Sequence, residues 1–138
     1  MQGPAFAQLQ VGDELPPLVL PAVNRTTLAL YAGGSNDHNP IHIDLDFARS
    51  AGLSDVFAHG MLSMAWLGRL LTGWVDQRQL RSFGVRFASI THLGDRITCT
   101  GRIAEKLQVD GEDRIRIEVR TANQDGDVKV VGEAVVAL

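Results

Sequence analysis

Between Gly60 and Val75 the chain reads GMLSMAWLGRLLTGWV, and directly after Asp76 its hydrophobic period changes from that of a helix to that of a strand. Met61, Leu62, Ala65, Trp66, Leu67, Leu70, Leu71, Trp74 and Val75 cover most of a helix circumference, and a helix apolar on nearly every side is a buried one. Beyond it, Phe83, Val85 and Phe87 alternate with small or polar residues. Ile97, Cys99, Gly101 and Ile103 alternate with Arg96, Thr98, Thr100 and Arg102, and Ile115, Ile117 and Val119 with Arg114, Arg116, Glu118 and Arg120. Period 2 marks strands with one buried face. Val128 to Leu138 is more continuously apolar, the pattern of a strand covered on both sides or lying at a subunit contact. Turn residues at Leu93-Gly94-Asp95, Val109-Asp110-Gly111 and Gln124-Asp125-Gly126-Asp127 separate these runs, so the sequence predicts a four-stranded antiparallel meander. A helix that must be covered and strands with one apolar face give an α+β arrangement, a curved antiparallel sheet wrapped around the helix.

The front half carries shorter signals. Leu15 to Val23 contains three prolines, which restricts it to an edge strand or an extended lead-in. Thr26-Thr27 supply an N-cap for a short helix through Tyr31 that Gly33-Gly34 end, and Asp44 caps a second from Leu45 to Ala51, stopped by Gly52. Both are too short to stand without tertiary packing. A chain of 138 residues fits one domain over 1–138 and can bury roughly 70% of its unfolded surface.

Composition removes several classes of function. A hydrophobic fraction of 45% and a charged fraction of 21% are those of a globular protein. The net charge of -3 argues against nucleic acid as the main partner, since phosphate binding needs a concentrated excess of Lys and Arg. Cys99 is the single cysteine; it allows no intrachain disulfide and reads as a buried structural thiol in a reducing compartment. Met1 to Val11 lacks a basic region followed by an apolar one, and the Gly60–Val75 run is interrupted by Arg69 and falls short of the ~20 residues of a membrane span. The expectation is a cytoplasmic protein that binds no membrane.

The polar chemistry concentrates just before the long helix. In DHNPIHIDLD, His38 and His42 stand at i and i+4, a zinc spacing only if helical, and Pro40 between them forbids that helix. With no third ligand at a recognisable spacing, the expected metal is none. Pro40 favours an extended Asn39 and a rigid turn that holds Asp37 and His42 in fixed relation. On spacing alone, Asp37 reads equally as an Asx-turn carboxylate serving local amides and His42 as a satisfied, partly buried side chain. If the helix starts at Gly60, its first N–H groups lack intrahelical partners and carry the positive end of the helix dipole, and glycine lets a ligand approach closely.

The segment YAGGSNDHNPIHIDLDFARSAGL followed by FAHGML resembles the hydratase motif of the MaoC-like, (R)-specific enoyl-thioester hydratase and dehydratase family, Y-A-x-x-S-x-D-x-N-P-[IL]-H-x-D and then A-H-G-M. The match is dense over Tyr31 to Leu62; elsewhere it is one of length and strand pattern. The resemblance implies the hotdog fold, a long helix wrapped by an antiparallel sheet and dimerised so that sheets join. It implies reversible hydration of trans-2-enoyl thioesters of CoA or acyl carrier protein to (3R)-3-hydroxyacyl thioesters, without a cofactor.

Residue by residue, Asp37 and His42 match the family's catalytic pair, which holds and activates the water. Gly60 matches the position whose backbone N–H binds the thioester carbonyl oxygen. Asn39 and Pro40 match the loop that shapes the turn, and His59 is a motif residue that supports the site. Some members carry a supporting serine one turn into the long helix; here that stretch is Ser63-Met64-Ala65, so the equivalence of Ser63 is not given by the motif. Two other readings stay open: a subunit of a heterodimeric dehydratase, in which the intact Asp37-His42 pair makes this the catalytic chain, and a hotdog thioesterase. The latter commonly needs a carboxylate on the long helix, and Gly60 to Val75 has none. Arg81, Arg86, Arg96 and Arg102 are candidates for a basic patch toward CoA phosphates or an acidic carrier protein, or a solvated strand face.

Overall fold

The apolar run forms a helix that starts where the sequence places it. In the computed structural model, which describes residues 3–138, α3 spans Gly60–Thr72. It ends at Thr72, with Gly73 as its C-cap, rather than at Val75. Leu62, Trp66, Leu67, Leu70 and Leu71 are buried, and each such side chain contributes about 2 kcal/mol when taken out of water. Burial is not complete around the helix: Met61, Ala65, Arg69 and Thr72 form an exposed stripe at helical spacing.

Two shorter helices precede it. α1, Arg25–Ser35, is capped by Asn24, whose side chain accepts the Thr27 N–H, and not by Thr26 or Thr27 themselves. It runs through Gly33 and Gly34 and stops at Asn36, which takes the left-handed conformation at φ 60°. Packing of Leu28 and Ala32 into the core outweighs the roughly 1 kcal/mol that each helical glycine costs. α2, Leu45–Ser50, is capped by Asp44 as expected, through the Phe47 N–H.

Five strands make one antiparallel sheet: β1 Leu18–Val19, β2 Leu80–Phe87, β3 Thr98–Val109, β4 Glu112–Ala122 and β5 Val128–Ala137. Their order is β1-β3-β4-β5-β2. The meander therefore holds for β3, β4 and β5 only. β2 pairs with β5 on the far side, and Leu93-Gly94-Asp95 bends the long connection from β2 to β3 instead of closing a hairpin. The proline-rich lead-in is the two-residue edge strand β1. Along the inner face, the row Gly101, Val119, Gly132 and Val85 crosses the four long strands. A Cβ on Gly132 would come within 2.2 Å of the Gly84 carbonyl oxygen, so glycine permits the approach of β2 to β5 there.

Cys99 lies fully buried on β3, and burial pushes its thiol up to about 12. Arg81 is engaged by Glu112 at 2.7 Å, an ion pair across the sheet rather than a free cation. No helix among the described residues is long and apolar enough to cross a membrane. The sheet curls around α3, and the first turn of α3 emerges beside the end of β2, where the polar loop of the front half also arrives.

Candidate active site

The Asn39-Pro40 turn builds the site from local geometry. The Asn39 side chain accepts the Ile41 N–H at 3.1 Å and so caps a single 3-10 turn, Pro40–His42, with proline at its first position. Asp37 does make the Asx contact, Oδ1 accepting the Asn39 N–H at 3.2 Å. The turn leaves His38 exposed and unassociated with His42, and delivers His42, 9% exposed, to the edge of the core.

His42 is then fixed by a group far along the chain. Its Nδ1 lies 2.7 Å from the Phe57 carbonyl oxygen. A carbonyl only accepts, so Nδ1 carries the hydrogen, and Nε2 of the neutral ring keeps its lone pair. His59 is held the opposite way round, its Nε2 donating to the Asp37 carbonyl at 3.1 Å and its Nδ1 buried without a partner. The two imidazoles stack with centroids 4.0 Å apart and planes 28° apart. Tyr31 meets His59 edge-on at 4.8 Å, and Phe57 meets His42 at 4.9 Å. Desolvation is the main cause that lowers the His59 pKa below its ordinary 6.5, so this buried ring is neutral. Burial first and the Asp37 carboxylate second push the Tyr31 phenol up.

A cleft of about 410 Å³ opens alongside, walled by Asp37, Gly60 and Ser63 on one side and by Phe87, Ile90, Thr91 and Val130 on the other. Gly60 is the first residue of α3, so its N–H has no intrahelical acceptor. Met61, Phe87 and Ile90 are large apolar side chains left 51%, 52% and 40% exposed at this cleft, which gives its mouth an apolar rim. Asp37 and the helix N-terminus at Gly60 thus line one small apolar-rimmed space, and a ring nitrogen of His42 lies within 4.8 Å of the Asp37 carboxylate; these are the parts required to move a proton beside a polarised carbonyl.

Of the seven residues singled out from sequence, Asp37, Gly60 and Ser63 line the cleft, His42 and His59 stand within 4.8 Å of the Asp37 carboxylate, and Asn39 braces the turn from outside. Pro40 stands with Asn39 as the turn's first residue. The structure also brings together a third potential ligand that sequence spacing did not show, because atoms of Asp37, His42 and His59 able to bind a cation lie within 4.8 Å of one another. Two of the four ring nitrogens are already committed to backbone carbonyls. Sequence reasoning missed Phe57, whose carbonyl sets the His42 tautomer, although it immediately precedes the A-H-G-M run. It also missed the Phe87–Thr91 wall, for which strand pairing is the only source of information.

Comparison with known proteins gives the family and the fold. A model of the MaoC like domain matches residues 11–125. The (R)-specific enoyl-CoA hydratase of Rhodospirillum rubrum is 30% identical over 126 residues, covering 83% of this chain and 78% of that one. The fatty acid synthase subunit beta of Aspergillus oryzae is 35% identical over 111 residues, 77% of this chain, but the chain spans only 5% of that subunit's length. Among solved structures, the unliganded R-hydratase PhaJ1 from Pseudomonas aeruginosa superposes with a TM-score of 0.83 at 30% identity, over 96% of this chain and 84% of that one.

Proposed function

The chain belongs to the MaoC-like dehydratase family and has its hotdog fold, and from that premise we propose that it adds water reversibly across trans-2-enoyl thioesters to give (3R)-3-hydroxyacyl thioesters. The observation that carries the reading is the His42 tautomer: with Nδ1–H spent on Phe57, the ring offers a base at Nε2, and the ring comes within 4.8 Å of the Asp37 carboxylate. The thioester carbonyl oxygen sits on the Gly60 N–H, which makes C3 electrophilic and stabilises the enolate formed on attack. One such donor is worth about 2.7 to 4 kcal/mol in the transition state. Water lies between Asp37 and His42. Its oxygen bonds to C3, one of its protons passes to His42 Nε2, and the other stays on the new hydroxyl, which donates a hydrogen bond to the Asp37 carboxylate. The imidazolium then returns its proton to C2 as the enolate collapses, so one water is added and the base is regenerated.

The acyl chain occupies the space rimmed by Met61, Phe87 and Ile90, an apolar lining suited to hydrocarbon. Asn39 and Pro40 hold the turn, His59 anchors the Asp37 backbone, and Ser63 on the cleft wall contacts the substrate. Every step uses the chain's own groups. The protein works in the cytoplasm as a homodimer, a reading supported by the terminal position of β2 in the sheet order. Native mass distinguishes this from a monomer that awaits a related partner.

The test is product identity. Incubated with crotonyl-CoA and a chelator, the protein yields 3-hydroxybutyryl-CoA, and oxidation by an (R)-specific but not an (S)-specific dehydrogenase follows. Release of free CoA without hydration would instead mark a thioesterase and overturn the reading.

A further inference from the structure

Lys129, the second residue of β5, is 2% exposed, and a fully buried ammonium demands an explanation. Its Nζ lies 2.6 Å from Asp127 Oδ2 and 3.6 Å from Asp95 Oδ2. Asp127 is half exposed and by itself satisfies the charge, whereas Asp95 is 7% exposed. Burying a second ionised group is costly, and replacing such pairs by apolar residues is often neutral or stabilising. Stability alone therefore does not account for Asp95.

What Asp95 does is hold a turn. Its Oδ2 accepts the His92 N–H at 2.9 Å and its Oδ1 accepts Asn123 Nδ2 at 3.2 Å. The other end of the same segment is fastened to the same lysine, because the Lys129 carbonyl accepts the N–H groups of Ala88 at 2.9 Å and Ser89 at 3.1 Å. Residues 88–95 are thus strapped at both ends to Lys129, and their middle forms the far wall of the cleft. From that middle, the Thr91 carbonyl accepts the Ala58 N–H at 2.9 Å, and His92 pairs with Phe57 in an antiparallel bridge. The Phe57 carbonyl in turn receives His42 Nδ1–H at 2.7 Å. The contacts run without a gap from Lys129 through Asp95, His92 and Phe57 to His42.

We propose that the buried Lys129-Asp95 pair is a positioning device for His42, holding the 88–95 segment so that the Phe57 carbonyl fixes the ring's orientation and tautomer. The proposal rests on the reading of His42 as the base. Neither residue touches the cleft; both act through the strap.

The test compares Lys129→Met and Asp95→Ala in the full chain, with two readouts taken well below the melting temperature. The first is kcat and KM for crotonyl-CoA hydration. The second is the ¹⁵N shifts of the His42 ring, measured without substrate, which report the tautomer. The expected result is a fall in kcat of about 10-fold to 100-fold, the range for a misplaced catalytic group, with KM changed far less, and a loss of the pure Nδ1-protonated signature. Asp95→Ala leaves Lys129 paired with Asp127, so it carries the test if Lys129→Met does not fold. A merely structural pair would lower the melting temperature and leave the His42 shifts in place. Either folded variant with wild-type kcat and wild-type His42 shifts overturns the proposal. Should the wild-type chain fail to hydrate crotonyl-CoA, the functional reading fails, and the ring shifts alone still decide whether the strap positions His42.

Discussion

Substituting Gly60 by alanine separates the role of this residue in folding from its role in binding the carbonyl. The new Cβ would lie 3.2 Å from two atoms of the Phe87 ring and 3.3 Å from a third, closer than comfortable contact by a few tenths of an ångström. Phe87 is 52% exposed at the end of β2, with β5 on one side only, so its ring can swing outward. The small strain is offset by the lower unfolded-state entropy of alanine, about 0.4 to 1 kcal/mol, and Gly60→Ala stays within about 1 kcal/mol of wild-type stability. Activity follows a different rule. The methyl takes the space between the helix N-terminus and Phe87 through which the carbonyl oxygen must approach. Losing one oxyanion donor costs about 2.7 to 4 kcal/mol, a drop of roughly 10²-fold to 10³-fold in kcat. The assay is steady-state hydration of crotonyl-CoA beside a thermal melt of the same preparation. An unchanged melt with unchanged kcat would refute the placement of the carbonyl on Gly60.

Gly132→Ala has the reverse profile: its Cβ would meet backbone, the Gly84 oxygen at 2.2 Å and Val85 Cα at 2.9 Å, so denaturant unfolding should show a loss of about 3 kcal/mol. The Cys99 thiol, fully buried and held at about 12, reacts with a disulfide reagent only as fast as the protein opens, and prompt labelling in native buffer would contradict its burial. His59 makes stability fall in acid. Its folded pKa lies below the unfolded value near 6.5, so below that pH the unfolded state binds a proton that the folded state refuses, and nothing is lost above it. The unfolding midpoint should therefore drop from about pH 7.5 to about pH 5.5 in wild type, and drop less in His59→Gln.

Much of this site was legible because it is local. Asn39, Pro40 and Asp44 act on residues two or three positions away, and turn and cap chemistry at that range is written in the residue types. The start of α3 at Gly60 followed from the apolar run. The end of α1 did not, because burial of Leu28 and Ala32 carries the helix through two glycines that would stop an isolated one. The strand order escaped for the same reason: pairing of β2 with β5 rather than β3 depends on a close approach at Gly132, some fifty residues from Gly84 in sequence. His59 was visible as a motif residue, yet its stacking on His42 and its grip on the Asp37 carbonyl are tertiary facts. The Lys129-Asp95 strap left no periodic signal, since the two residues stand 34 positions apart and meet only through tertiary packing.

The central claim is that Asp37 and His42 activate one water, and it is tested most directly by hydration kinetics of Asp37→Asn, His42→Ala and the double variant on crotonyl-CoA. Each single substitution should lower kcat by about 10²-fold or more with the fold intact, and the double variant by little beyond the worse single, because the two groups serve the same water. Near-wild-type hydration by the folded double variant would contradict the account.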